Sequence, residues 1–139
     1  MESKQLDNLV RTGSLKHEPV IQAEYDGLVV SGRKRLTDAG NESLAFESRF
    51  DLAYNGAFSL ALAALRLHGF RPENRYVVFQ VIPLTLNLGP EVWRTLAECH
   101  RRRNSAEYEG FLEIDRQLLN DLIVAAGKVM TAVEALPAG

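Results

Sequence analysis

The segment His100-Arg101-Arg102-Arg103-Asn104-Ser105-Ala106-Glu107-Tyr108 carries the densest set of chemically useful side chains in the chain. Successive residues of a helix point about 100° apart, so three consecutive arginines cannot form one stripe. By their spacing of three and four, Arg101, Asn104 and Tyr108 share one face, and His100, Arg103 and Glu107 share the adjacent one. The result is a wide polar wall. Arginine forks match phosphate oxygens. An asparagine beside them can bind a sugar hydroxyl or a base edge, and a tyrosine can stack or hydrogen-bond. These residue types point to phosphate or nucleotide recognition. The plainer reading is a solvated basic face near a helix end, where cations simply favour the dipole. Glu107, four residues after Arg103, can pair with it at modest strength and could also serve as a base.

This wall must be positioned by helices. The fifth predicted helix opens at Gly89-Pro90-Glu91, with proline at its first position, and stops at Gly110. Its early turns carry Val92, Trp93, Leu96 and Ala97, expected in the core. The third helix, Glu42 to His68, is expected at the centre of a bundle, with Asn41 as its N-cap and Gly69 as its stop. Phe50, Tyr54, Ala57, Phe58, Ala61 and Leu65 share one face of it, and Leu60, Ala64 and Leu67 widen that stripe. A short helix over Lys4 to Arg11 and a second from Pro19 to Asp38 precede it; Gly27 and Gly32 weaken the second pattern. The stretch Glu73 to Leu86 contains a β-branched and aromatic run that could pass for a strand, but no partner strand is evident. A buried helix, kinked or ended by Pro83, is expected there instead. The last helix, Asp115 to Leu136, is clearly amphipathic. The expected fold is therefore all-α, one up-and-down bundle domain of about five helices spanning residues 1–139.

Composition agrees. The 139 residues suit one domain large enough to bury a core unaided. Net charge is −2, which disfavours a diffuse cationic nucleic-acid binder but leaves a local basic patch open. The one cysteine, Cys99, excludes an internal disulfide and a thiolate-pair zinc site, and reads as a small buried hydrophobe. Neither a metal nor a cofactor is expected: Glu47 and Asp51 sit at helical spacing without a histidine, and are expected in solvent, facing basic residues elsewhere. Ser59 is expected to bond its own backbone. The N-terminal MESKQLDNLV lacks a signal-peptide pattern, and no stretch is long enough to span a bilayer, so a cytoplasmic protein without membrane contact is expected.

Two stretches resemble the HEPN superfamily of all-α domains. One is Arg49-Phe50-Asp51-Leu52-Ala53-Tyr54-Asn55-Gly56-Ala57, running into Leu67-His68-Gly69-Phe70-Arg71-Pro72. The other is Arg103-Asn104 with Tyr108 four residues beyond the asparagine. Together they cover about Asn41 to Leu136. The resemblance implies a helical bundle that dimerises, bringing two Arg-polar-x3-His motifs around a cleft. It also implies metal-independent RNase activity in many members, often in toxin–antitoxin pairs, and in others a minimal nucleotidyltransferase partner or nucleotide binding without cleavage. In cutting members the arginine holds the phosphate and the histidine helps activate the ribose hydroxyl.

This chain departs from the pattern where it matters most: five residues after Arg103 stands Tyr108, not histidine. A tyrosine, with an ordinary pKa near 10, is a poor base at neutral pH. His100 lies one turn before Arg103 and would substitute only in a rearranged cleft. His68 could approach only through tertiary folding, and His17 is placed in an N-terminal loop. Arg103, Asn104 and Tyr108 are thus the candidate catalytic residues, with His100, Arg101, Arg102 and Glu107 as substrate-binding residues. RNA or nucleotide binding is expected to survive better than cleavage, in a homodimer. The competing expectation is a non-catalytic protein–protein bundle, such as a nucleotidyltransferase partner, with the arginines as interface anchors.

Overall fold

The computed structural model describes residues 4–110 and 113–137, with Glu107 described by its backbone alone. The described residues form helices α1 (Lys4–Arg11), α2 (Gln22–Ala39), α3 (Phe46–Leu67), α4 (Arg75–Gln80), α5 (Ile82–Thr85), α6 (Pro90–Glu109) and α7 (Arg116–Glu134), with two short strands, β1 (Leu15–His17) and β2 (Phe70–Pro72). The fold is an all-α bundle. Four long helices, α2, α3, α6 and α7, carry it, and three short ones fill its sides.

Helix α3 is central, packed against α2, α7, α4 and α6. Phe50, Ala57, Leu60, Ala61, Ala64 and Leu65 of its apolar stripe are buried, as are Ala53 and Ala63 beside them. Its contact with α2 is close because each helix offers a glycine. A Cβ on Gly32 would lie 3.0 Å from the Gly56 carbonyl oxygen, and one on Gly56 would lie 3.0 Å from that of Gly32. The glycine that weakens the sequence pattern of α2 is therefore what lets the two backbones approach.

Both long N-terminal helices start later than their patterns predict. The Glu18 and Pro19 carbonyls accept hydrogen bonds from the Arg66 guanidinium at 3.0 and 2.7 Å, so the chain stays extended until Ile21 and α2 begins at Gln22. Asn41 does not cap α3. Its Oδ1 accepts from the Ser43 amide and hydroxyl at 3.0 and 2.7 Å, closing a local turn ahead of Ala45, the actual N-cap.

The segment after Gly69 divides more finely than expected. Phe70–Pro72 pairs antiparallel with Leu15–His17, in register His17 to Phe70, so His17 lies in a strand and not in a loop. Its ring packs 5.0 Å from that of Phe70. Beyond it, Asn74 caps α4 by accepting from the Val77 amide. The chain breaks at Val81, and Pro83 sits in the first turn of α5. Val77, Val78, Phe79, Val81 and Ile82 are buried, so the run that could pass for a strand is two short core helices. Asp115 caps α7, accepting from Leu118 at 2.8 Å.

Arg66 is fully buried at 0% exposure, yet every guanidinium nitrogen has an acceptor. Nε donates to Glu24 at 2.7 Å, Nη1 to the Glu18 and Phe70 carbonyls, and Nη2 to the Pro19 carbonyl. Arg71 bridges the same two carboxylates, Glu18 and Glu24. This network ties α2, α3 and the small sheet together. None of the described helices is long and apolar enough to cross a membrane.

Candidate functional site

The basic run lies on the last turns of α6, and the fold disperses it. Arg101 and Arg102 both turn back onto Glu98. Arg101 donates to it through Nε at 3.0 Å and Nη2 at 2.5 Å, and Arg102 through Nε at 3.0 Å. Those hydrogen bonds, Arg101's first, hold the Glu98 carboxyl at about 2. Arg102 also donates to the Glu113 carbonyl at 3.4 Å, bracing the approach to α7. Arg103 points the other way and pairs with Asp51 on α3, its Cζ 5.2 Å from the centre of the Tyr54 ring. The acidic pair Glu47–Asp51 thus meets a basic residue through Asp51.

His100 sits at the centre of what remains. Its Nδ1 lies 2.9 Å from the Tyr54 hydroxyl and its Nε2 3.2 Å from the Asn104 amide nitrogen. An amide nitrogen can only donate, so Nε2 accepts and Nδ1 carries the proton toward the Tyr54 oxygen. The ring is half-buried against Tyr54, Tyr76 and Phe79. Burial, followed by the nearby positive charge of Arg75, pushes its pKa below the ordinary histidine value. Both causes favour the neutral imidazole. Burial raises the Tyr54 hydroxyl, against the opposing pull of Arg75 and Arg103.

Beside this cluster an open groove of about 510 Å³ runs between α4 and α6. Tyr76 and Trp93 meet edge to face across it, with centroids 6.4 Å apart. Arg94, Arg101, Asn104 and Tyr108 also line it, together with the Glu98 carboxylate that Arg101 and Arg102 hold, and Arg94 lies 6.0 Å from the Trp93 ring. Tyr108 is 91% exposed at the far end. Trp93 is only half-buried, since its ring forms a wall of the groove instead of filling the core as predicted. Such a surface offers π-faces, cations and one amide to a planar, anionic ligand.

Of the residues singled out by type and spacing, His100, Arg101, Asn104 and Tyr108 line this groove. Arg103 faces Asp51 and Tyr54, and Arg102 is taken up by Glu98. The side chain of Glu107 lies outside the described residues. His68 is elsewhere, its Nε2 3.1 Å from the Thr85 carbonyl. Sequence reasoning placed Tyr54 in the core stripe, which is right for its ring and silent on its hydroxyl. It missed Arg75 and Tyr76, which stand more than twenty residues before His100 and carry no local pattern. Cys99 is buried and its thiol is pushed up to about 12, which leaves it unreactive. Among the described residues no three His, Cys, Asp or Glu side chains are grouped to hold a metal ion. Compared with known proteins, the chain matches no family model, no curated protein and no solved structure.

Proposed function

We propose that this protein binds single-stranded RNA or a nucleotide in the α4–α6 groove, with bases stacked on Tyr76, Trp93 and Tyr108 and phosphates held by Arg94 and Arg101. The observation that carries this reading is the convergence of three aromatic rings, two arginines and the Asn104 amide on one open groove, where the Glu98 carboxylate is already paired with Arg101 and Arg102. Base–aromatic stacking contributes about 1–3 kcal/mol per base and tolerates any sequence. The overall charge of −2 supplies no diffuse attraction, so affinity must come from this local set.

The resemblance to the HEPN superfamily supports the same ligand class, together with a homodimer and a toxin–antitoxin or nucleotidyltransferase partner. Cleavage is a weaker proposal. Both His100 nitrogens are engaged, by Tyr54 and Asn104, so a ligand must displace the Asn104 amide before Nε2 can accept a proton. We therefore expect binding with weak or no metal-independent RNase activity.

Fluorescence anisotropy with a labelled 5′-hydroxyl oligoribonucleotide tests the reading. Affinity should fall as salt rises. It should fall roughly tenfold in Tyr108→Ala or Asn104→Ala, since both remove ligand contacts worth about 1–3 kcal/mol. Neither change touches the core, so melting temperature should hold. Equal binding by wild type and both variants would sink the site assignment. The second reading, a protein-docking face, uses the same Trp, Tyr and Arg set that anchors protein interfaces. It is favoured if no RNA affinity appears at any salt while the same variants lose a protein partner.

A further inference from the structure

Two guanidinium groups bear on the Tyr54 ring from different elements. Arg103 of α6 has its Cζ 5.2 Å from the ring centre, and Arg75 of α4 has its Cζ 5.9 Å from it. Their surroundings differ. Arg103 is paired with the Asp51 carboxylate, which is itself half-exposed at 52%. Arg75 is exposed and has no carboxylate partner among the described residues. Its contacts are the Asn55 amide oxygen at 3.4 Å, the Tyr54 hydroxyl, and the faces of Phe58 and Tyr54. A cation that is fixed over two aromatic rings yet left without a counter-charge is pre-set for an anion from solution.

We propose that Arg75 and Arg103 form a phosphate subsite over Tyr54, next to the aromatic groove, with Asp51 as the internal carboxylate that an incoming phosphate displaces from Arg103. This deepens the nucleotide reading by naming where a phosphate group sits relative to the stacked base, and it rests on that reading for the rest of the ligand. Three observations support it. Both guanidiniums lie within 6 Å of the centre of a single ring, a spacing that linked phosphates of one ligand can span. Asp51 and Arg103 are partly exposed, so exchanging one anion for another costs little desolvation. His100 lines the groove and meets the Tyr54 hydroxyl at 2.9 Å, so it links the groove to the ring beneath the subsite. Asp51 acts here as a positioning residue: it keeps the Arg103 fork in place when the site is empty.

Isothermal titration with pyrophosphate tests the subsite alone. Wild type should bind it, and Arg75→Gln should weaken binding at least about tenfold, the loss expected for a charge-assisted hydrogen bond. Asp51→Asn should tighten binding, because the internal competitor loses its charge. Lys34→Gln, the same charge change on exposed α2, should leave it unaltered and controls for net charge. Far-UV circular dichroism of each variant checks the fold, and the Asp51→Asn gain cannot arise from misfolding. Absence of pyrophosphate binding, or equal affinity in Arg75→Gln and Lys34→Gln, overturns the subsite. The groove is judged separately by the 5′-hydroxyl oligoribonucleotide. RNA binding without pyrophosphate binding removes the subsite and keeps the groove. Pyrophosphate binding without RNA binding keeps the subsite and removes the nucleic-acid reading.

Discussion

His100 shows how a single residue acquires its character from neighbours that are remote in sequence. By position it is one polar side chain in a basic run. In the fold it lies between Tyr54 of α3 and Asn104 of its own helix, with Arg75 of α4 near enough to oppose its protonation. Burial is the larger cause of its lowered pKa and Arg75 the next. Replacing Arg75 by Gln removes only the second. The His100 pKa should then rise toward the ordinary value of about 6.5 without reaching it. Titration of the ring resonances by NMR measures this directly, and an unchanged or lower value would show that Arg75 does not act on the ring. Asn104 could be singled out from its spacing to Arg101 and Tyr108. Its bond to His100, four residues earlier, joins the two faces that the spacing had kept apart. Tyr54 could not be connected to either, because nothing local says which face of α3 meets α6.

At the scale of elements, the contact between α2 and α3 separates glycines of different purpose. Gly27 and Gly32 look alike in the sequence, both interrupting α2. A Cβ on Gly27 meets nothing within 4 Å, whereas one on Gly32 would lie 2.6 Å from Leu60 Cγ. On α3, a Cβ at Gly56 would lie 2.9 Å from Leu36 Cδ2 as well as close to the Gly32 backbone. Gly27→Ala should therefore stabilise the protein by about 0.5–1 kcal/mol, the difference in helix propensity. Gly56→Ala should destabilise it, since overpacking costs about 1–3 kcal/mol and exceeds the same gain. Urea denaturation of the pair gives opposite shifts in midpoint, and shifts of the same sign would contradict the close approach. The helix ends tell a related story. Gly40, Gly69 and Gly110 were readable as stops and Pro90 as a start. The late starts of α2 and α3 were not readable, because Arg66 and Ser43 compete for the groups that would otherwise begin those helices.

At the scale of the whole molecule, the charged network around Arg66 joins the N-terminal segment, the small sheet and the two longest N-terminal helices. Arg66 is the fully buried member, while Glu18 and Glu24 are about one-third exposed, so losing either carboxylate costs less than breaking a fully buried pair. The carboxylates involved set how stability depends on acid. Hydrogen bonds from Arg71 to Glu18, and from Arg66 and then Arg71 to Glu24, lower both pKa values, and Glu98 is lowered to about 2. A group whose pKa is lower when folded stabilises the protein above its unfolded value and loses that contribution as pH falls toward the folded one. For these glutamates the loss begins near pH 4.3. His100, also lowered, begins to lose its share below about pH 6.5. Denaturation midpoints measured across this range should fall gently from neutral pH and then steeply below about pH 4. A midpoint that held steady in acid would mean that the network does not stabilise the fold. The sequence by itself determined the helical class, the central place of α3 and the position of the polar wall on α6. Periodicity and end signals are local and need no partner. Only the tertiary structure decided that Glu98 takes up Arg101 and Arg102, that Asp51 meets Arg103, and that Tyr54, Tyr76 and Arg75 surround His100. Those contacts join residues far apart in the chain, and which pairs form depends on how the helices cross, which no local spacing encodes.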